Sequence, residues 1–184
     1  MKFKPPRLES KRLILRKFKT GDERDLIEFK PRKVKDLKSA REFIKKSVED
    51  DGFYLAIVLK SENKVIGYRE LCHFSWWENT AGEIGAHIGK KYRRNGYSTE
   101  AAMMLIDYCF NKLKFHKVYA DTDQNNKVSQ KGLKKLGFKL EGVVRDKRKA
   151  KGKWLDELDY GMLKPEWIAA KKRLVKDKKK WGKK

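Results

Sequence analysis

Residues 92 to 105 read YRRNGYSTEAAMML. Arg93, Arg94 and Asn95 lead into Gly96, Tyr97 follows with the hydroxyl pair Ser98 and Thr99, and an apolar run then begins. A helix start presents backbone N–H groups that lack a carbonyl partner, together with a partial positive charge, so it binds anions. A glycine there lets the main chain come close to a ligand with no β-carbon in the way. The arginines add charge and the hydroxyls can donate hydrogen bonds. An ordinary helix N-terminus with basic neighbours has the same composition, so the local pattern leaves both readings open. The stretch is not a P-loop, because no Gly-Lys-Ser/Thr follows, and it lacks the Gly-x-Gly of a dinucleotide fingerprint.

The surrounding chain supplies the elements that must hold this stretch. Alternating or continuous apolar runs predict strands at 12–18, 53–60, 65–71, 83–89 and 117–122, and a final pair at 138–147 and 154–163 joined by the basic turn RKAKGK. Thr20 with Glu23, and Ser39 with Glu42, have capping-box spacing and predict helices starting near Gly21 and over 40–50. Ala102, Leu105, Ile106, Cys109 and Leu113 fall on one face of a helix that follows Gly96. A further helix is expected over 125–138, with Gly137 at its C-terminal cap. The order is strand, two helices, a three-strand meander, helix, strand, helix, two strands, which is an α+β architecture with a mixed sheet.

Composition sets the outer bounds. A chain of 184 residues forms one domain with a real core. No run approaches the length of a membrane span, and the N-terminal MKFKPPRLES lacks the apolar stretch of a secretory signal. Cys72 and Cys109 make no disulfide framework and read as small core residues, so a cytoplasmic setting is the simplest expectation. Lys and Arg number 48 against 25 Asp and Glu, a net charge of +23. Such a surface attracts polyanions, including RNA, anionic cofactors and acidic proteins. Residues 165–184 are expected to form a short helix that fades into a cationic tail, with KKRLVKDKKKWGKK exposed and partly disordered.

RLILR, VIGYREL, GEIGAHIGKKYRRNGYSTEA, NNKVSQKGLKKLGFKLEGVVR and DYGML…EW follow one another in a recognisable order. Over roughly residues 7 to 168 the chain resembles the GNAT N-acetyltransferases of the RimJ/RimL type. Arg93, Gly96 and Ser98 match the family's Gln/Arg-x-x-Gly-x-Gly/Ala motif, with serine where Gly or Ala is usual, and Asn126 and Ser129 match its Asn-x-x-Ser signature. The resemblance implies a sheet of about six to seven strands with helices on both faces, a catalytic domain over 1–168 and a basic tail over 169–184. It implies acetyl-CoA as cosubstrate and no metal. The pyrophosphate would lie on the amides of Arg94, Asn95, Gly96, Tyr97, Ser98 and Thr99, with Arg93 beside it. The pantetheine arm would run beside His87, Ile88 and Gly89. Asn126 would reach the cofactor, Ser129 would lie near its sulfur, and Lys134 or Lys135 would meet the adenosine phosphate.

The acceptor would be a primary amine, which attacks only when neutral. An α-amine titrates near 7.7–8.0 and a lysine near 10.4, so an α-amine needs the weaker base. Glu83 is the candidate base, acting directly or through water, with Glu70 and His73 as alternatives. Many GNAT enzymes use a tyrosine toward the departing sulfur and none stands at that place here; the resemblance to RimL-like members implies Ser129 instead, as a hydrogen-bond donor. Arg148 and lysines occupy the turn where some relatives carry a glutamate, a departure from their mechanism. Trp76, Trp77 or Trp154 would line the acceptor pocket or cover the sheet edge. The leading acceptor is a protein N-terminal α-amine of the ribosomal-protein kind, with possible ribosome or RNA contact through the basic surface. A small amine, and a basic RNA-binding role on the same scaffold, are the alternatives. The net positive charge is expected to repel polycationic acceptors. The chain is expected to act as a monomer or homodimer.

Overall fold

The computed structural model describes residues 5–31, 34–49, 52–72, 81–150 and 152–181, with backbone only at 48, 49, 81 and 177–181. One mixed sheet of nine strands organises it, in the order β1-β2-β4-β5-β6-β7-β9-β8, with β3 attached to β4. The strands are β1 Leu8–Glu9, β2 Leu13–Lys17, β3 Val48–Glu49, β4 Gly52–Leu59, β5 Lys64–Cys72, β6 Ala81–Ile88, β7 Lys117–Asp123, β8 Lys139–Ala150 and β9 Lys153–Leu163. The sheet exceeds the expected six to seven strands because β1 and β3 add two-residue edges that carry no periodic signal. All pairings are antiparallel except β6 with β7.

Helices cover both faces. α1 Glu23–Phe29 and α2 Leu37–Lys45 close one core around Phe18, Leu26, Ala56 and Val65. α3 Tyr97–Asn111, α4 Lys127–Leu136 and α5 Lys164–Trp181 close the larger core on the other face. Because β4 is buried from both sides, it reads as a continuous apolar run rather than an alternating one. Within α3, Ala102, Leu105, Ile106 and Cys109 are fully buried, as the periodicity requires, while Leu113 lies beyond the helix end and is half-buried.

The helix starts differ from the capping-box expectation. Asp22, not Thr20, precedes α1; its carboxylate is held by Arg16 at 2.7 and 2.8 Å and by the Lys19 amide. Glu23 accepts from the Gly21 amide instead of capping back to Thr20. At α2 the box is Asp36 with Ser39: the Asp36 carboxylate accepts from the Ser39 amide at 2.8 Å, so Ser39 is the third helical residue and the helix starts three positions early. Asp36 thus caps α2 one turn ahead of the place expected for Ser39, and no side chain caps α1. The final hairpin also continues through the basic turn, since Ala150 still pairs with Lys153.

The C-terminal helix is longer than expected and runs through Trp181. Trp167, Ala170 and Leu174 recur at helical spacing and are buried against α3 and α4. The Trp167 indole donates to Asp107 at 2.8 Å, and Lys171 pairs with the same carboxylate. Gly137, in the left-handed conformation at φ +102, ends α4, and a β-carbon there would come within 2.7 Å of Ala170. Truncation after Ala170 is therefore expected to destabilise the fold. Leu174→Ala alone should cost about 2–4 kcal/mol in urea unfolding, whereas truncation after Lys176 should leave the midpoint unchanged.

Candidate active site

The loop before α3 is built to keep its amides outward. Gly96 caps the helix at φ +77 in the left-handed region, and Arg94 also lies there at φ +66. A β-carbon at Gly96 would meet only the Arg12 guanidinium, at 3.6 Å, so the ground in front of the loop is open. No side chain caps α3, and its first internal bond runs from the Glu100 amide to the Gly96 carbonyl. The amides of Tyr97, Ser98 and Thr99 thus precede the helical ladder and remain available to an anion. Two side chains of the loop turn inward. Arg93 Nε donates to the Ile88 carbonyl at 2.9 Å, and Asn95 Nδ2 donates to the carbonyls of Tyr92 and Arg93, so both shape the loop.

A network that the local pattern does not reveal holds the loop from beneath. Arg12, on the short link into β2, donates to Glu100 at 2.7 and 2.9 Å and to the Asn95 carbonyl at 3.1 Å, and its guanidinium lies over the Tyr97 ring at 4.6 Å. Ser10 donates to the other Glu100 oxygen at 2.6 Å, and that carboxylate is buried. Arg69, on β5, donates to the Ser98 carbonyl at 2.5 Å and to its hydroxyl at 2.9 Å. That contact accounts for serine in a position where Gly or Ala is usual. Its hydroxyl has an internal partner and does not crowd the turn.

The second feature is a fork in the sheet. β6 and β7 pair only over Ala81–Glu83 with Lys117–Tyr119, while β6 stays paired to β5 as far as Ile88 and β7 to β9 as far as Asp123. Beyond Glu83 and Tyr119 the two strands part, which leaves one edge of β6 open among the described residues. The Gly89 amide bonds to the Ile66 carbonyl on the β5 side. By strand alternation the main-chain groups of His87 also face β5, and those of Ala86 and Ile88 face the fork. Ala86 is exposed, as an open groove requires.

Strand alternation also sorts the side chains at the fork. Ile84, Ile88, Val118 and Ala120 belong to the core under α3. Glu83, Gly85 and His87 of β6, with Tyr119 and Asp121 of β7, point to the opposite face. Glu70 joins them, its carboxylate lying where a β-carbon on Gly85 would stand. Tyr54 and Tyr68 are raised by burial and by Glu70, Tyr68 to about 12. Tyr119, paired across the fork with Glu83, is raised to about 12 by burial and then by the Glu83 charge. It therefore keeps its proton at neutral pH and can donate. Glu157 is also raised, by burial and then by Asp121 and Asp159 beside it. This face is a strip of carboxylates and phenols within a chain of net charge +23.

The His87 ring stacks between Phe29 at 5.6 Å and Tyr68 at 5.8 Å, so it packs under α1 rather than into the groove. Burial holds its pKa below the ordinary 6.5. The unfolded chain then binds the proton more readily, so stability should be full above pH 6.5 and decline as pH falls below it. His87→Phe should remove this part of the acid sensitivity, read as a flatter plot of unfolding midpoint against pH.

Asn126 and Ser129 are brought together by a cap: the Asn126 side-chain carbonyl accepts from the Ser129 amide at 3.1 Å at the start of α4. Val128 beside them is 83% exposed, an apolar side chain with no core to fill. Lys134 and Lys135 are exposed further along the helix. Arg148 pairs with Asp123 at the end of β7, and Trp154 is exposed under Lys149. Cys109 is buried as expected, but Cys72 is half-buried on the acidic face. His73, Trp76 and Trp77 lie outside the described residues.

Comparison with known proteins gives the family of a chain with this fork and this uncapped helix start. The family model described as acetyltransferase (GNAT) domain matches residues 12–139. The chain belongs to the GNAT acetyltransferase family. An uncharacterized N-acetyltransferase of Bacillus licheniformis, p20, is 34% identical over 138 residues, covering 72% of this chain and 76% of its own length. The [ribosomal protein uS5]-alanine N-acetyltransferase of Escherichia coli K12 is 27% identical over 119 residues, covering 65% and 61%. A GNAT-family acetyltransferase from Bacillus anthracis superposes with a TM-score of 0.75 at 26% identity, over 86% of this chain and 98% of that one. The chain is therefore an acetyltransferase enzyme, and GNAT enzymes draw on acetyl-CoA. Among the described residues no cluster of His, Cys, Asp and Glu is arranged to hold a metal ion, and no helix is long and apolar enough to cross a membrane.

Proposed function

We propose that this GNAT enzyme transfers acetyl from acetyl-CoA to a primary amine, with the N-terminal α-amine of a protein as its acceptor. The observation that carries the reading is the fork that opens at Glu83 and Tyr119, with the unladdered amides of Tyr97, Ser98 and Thr99 at its far end. Those amides and the left-handed Gly96 fit a pyrophosphate. The open edge at Ala86 with the Ile88 amide, the Ile88 carbonyl being engaged by Arg93, fits the amide-bearing pantetheine arm. Lys134 or Lys135 suits the adenosine phosphate. Bound there, acetyl-CoA supplies an activated acetyl thioester.

The chain's own residues then divide the proton work. Glu83, at the vertex of the fork, takes the proton of the acceptor ammonium, directly or through water. The neutral nitrogen would form the new bond to the acyl carbon as the carbon–sulfur bond breaks, and the second proton that the nitrogen then sheds would pass through water to the departing thiolate, giving the amide and the free thiol. The Ser129 hydroxyl donates a hydrogen bond to the departing sulfur. Ser129→Ala should lower kcat by about tenfold, one hydrogen bond's worth of transition-state stabilisation, while calorimetry finds acetyl-CoA affinity within about twofold of wild type. Unchanged kcat would remove Ser129 from the chemistry.

Acceptor charge is decided locally. Glu70, Glu83, Asp121, Glu157 and Asp159 line one face, and salt screens charges beyond about 8–10 Å. Lysines beyond that range therefore do not repel a cationic amine at this strip, and the near one, Lys147, is paired with Glu157 at 3.9 Å. An α-amine suits it, being cationic on arrival and needing only a weak base. The uS5-alanine acetyltransferase among the relatives supports the same class of acceptor. The acidic strip equally favours a second reading, a small cationic amine. Labelled acetyl-CoA offered to ribosomal proteins, peptides with free or blocked N-termini, and polyamines separates them. Label confined to free α-amines supports the first reading, and label confined to polyamines supports the second. The basic surface suits docking on an acidic protein or on ribosomal RNA, and salt-sensitive co-sedimentation with ribosomes tests that.

A further inference from the structure

Arg69 is the least expected side chain in the larger core. It lies on β5 between Leu55 of β4 and Ala86 of β6, and alternation turns it toward α3, away from Tyr68 and Glu70. It is 6% exposed. One guanidinium nitrogen, Nη2, is committed to the carbonyl and hydroxyl of Ser98 in the first turn of α3. Nη1 reaches the Gly85 carbonyl only at 3.4 Å, and Nε is buried with no hydrogen-bond partner. Burial lowers the pKa to about 10 and Glu70 opposes the shift, so the group stays charged at neutral pH.

A buried cation with an idle donor is costly, and an apolar side chain of similar length packs more cheaply in such a place. Its position adds to the cost. A cation beside a helix N-terminus opposes the helix dipole, which favours anions there. Glu100 lies in the same turn, but its oxygens are engaged by Ser10 and Arg12. An incoming anion on the loop offsets both costs together. The loop geometry points the same way, because the Ser98 carbonyl is drawn down onto Arg69 while the amides of the turn face outward.

We propose that Arg69 is a positioning residue for the cofactor's pyrophosphate: it pins the Ser98 turn from beneath and backs the loop with a buried positive charge, which sets cofactor affinity rather than turnover. The proposal rests on the reading of residues 94–99 as the pyrophosphate loop.

The test measures CoA binding by calorimetry at low and high salt, the melting temperature of the unliganded protein, and kcat at saturating acetyl-CoA, for wild type, Arg69→Met and Arg69→Lys. The expected result is at least a tenfold rise in Kd for CoA in Arg69→Met, about one decade or 1.4 kcal/mol, with unliganded melting temperature unchanged or higher. The kcat should stay within about twofold of wild type. Arg69→Lys, which keeps the charge and loses the fork, should recover part of the affinity. An Arg69→Met protein that binds CoA as wild type does overturns the proposal. So does one that melts earlier and turns over slowly with Kd unchanged, and so does failure of both variants to fold, since each assigns Arg69 to the scaffold alone. A wild-type protein that does not bind CoA instead refutes the loop reading itself.

Discussion

Gly96→Glu is expected to abolish acetyl-CoA binding while leaving a folded protein. Gly96 has a φ of +77, so any L side chain there is strained by about 1 kcal/mol or more. Space is not the obstacle, since only the Arg12 guanidinium lies within 4 Å of a built β-carbon. The larger effect is electrostatic. The substitution puts a carboxylate at the anion-binding end of α3, where it competes for the amides of Tyr97, Ser98 and Thr99 and repels the pyrophosphate. Calorimetry should find a loss of at least about 100-fold, or 2.7 kcal/mol, with far-ultraviolet circular dichroism unchanged. Gly96→Ala, which carries the strain without the charge, should lose far less. Wild-type affinity in a folded Gly96→Glu variant would move the cofactor to another place on the surface.

Glu83→Gln should lower turnover by about 100-fold at neutral pH, the lower end of what a positioned base contributes, and the gap should narrow as pH rises. Below the amine's pKa of 7.7–8.0 most acceptor is protonated and a base has work to do; above it the neutral amine needs none. The geometry supports the assignment. Glu83 is the last β6 residue paired with β7, it shares the half-buried vertex with Tyr119, and its charge contributes to holding that phenol protonated. Rates across pH 6 to 9, with acetyl-CoA saturating, check it. A variant whose pH–rate profile overlays wild type would exclude Glu83 and turn attention to Glu70 on the neighbouring strand.

What the sequence made legible was mostly local. The 3.6-residue period of Ala102, Leu105, Ile106 and Cys109 is a property of one helix, and so are the glycine loop before it and the Gly137 cap that ends α4. The Arg12–Glu100 and Arg69–Ser98 contacts join residues 88 and 29 positions apart, and no spacing rule brings such partners together. The acidic face was hidden for a related reason. Asp121, Glu157 and Asp159 each read as an outward strand residue, and only the register of β7 on β9 lines them up with Glu83. The net charge of +23 pointed away from such a strip because it averages over the whole surface. The full length of α5 was hidden because lysines crowd around Trp167, Ala170 and Leu174, whose spacing alone carried the signal. The start of α2 moved because Asp36, three positions ahead of Ser39, captures the Ser39 amide, while no side chain caps α1.

The most direct test of the central claim is mass spectrometry of one peptide offered in two forms, with a free N-terminus and an internal lysine or with the N-terminus blocked, after incubation with acetyl-CoA and the enzyme. Acetylation of the free α-amine only, lost in Gly96→Glu and slowed in Glu83→Gln, is the predicted result. Acetylation of the lysine in both forms alike, or of neither peptide while a polyamine in the same reaction is modified, would contradict it.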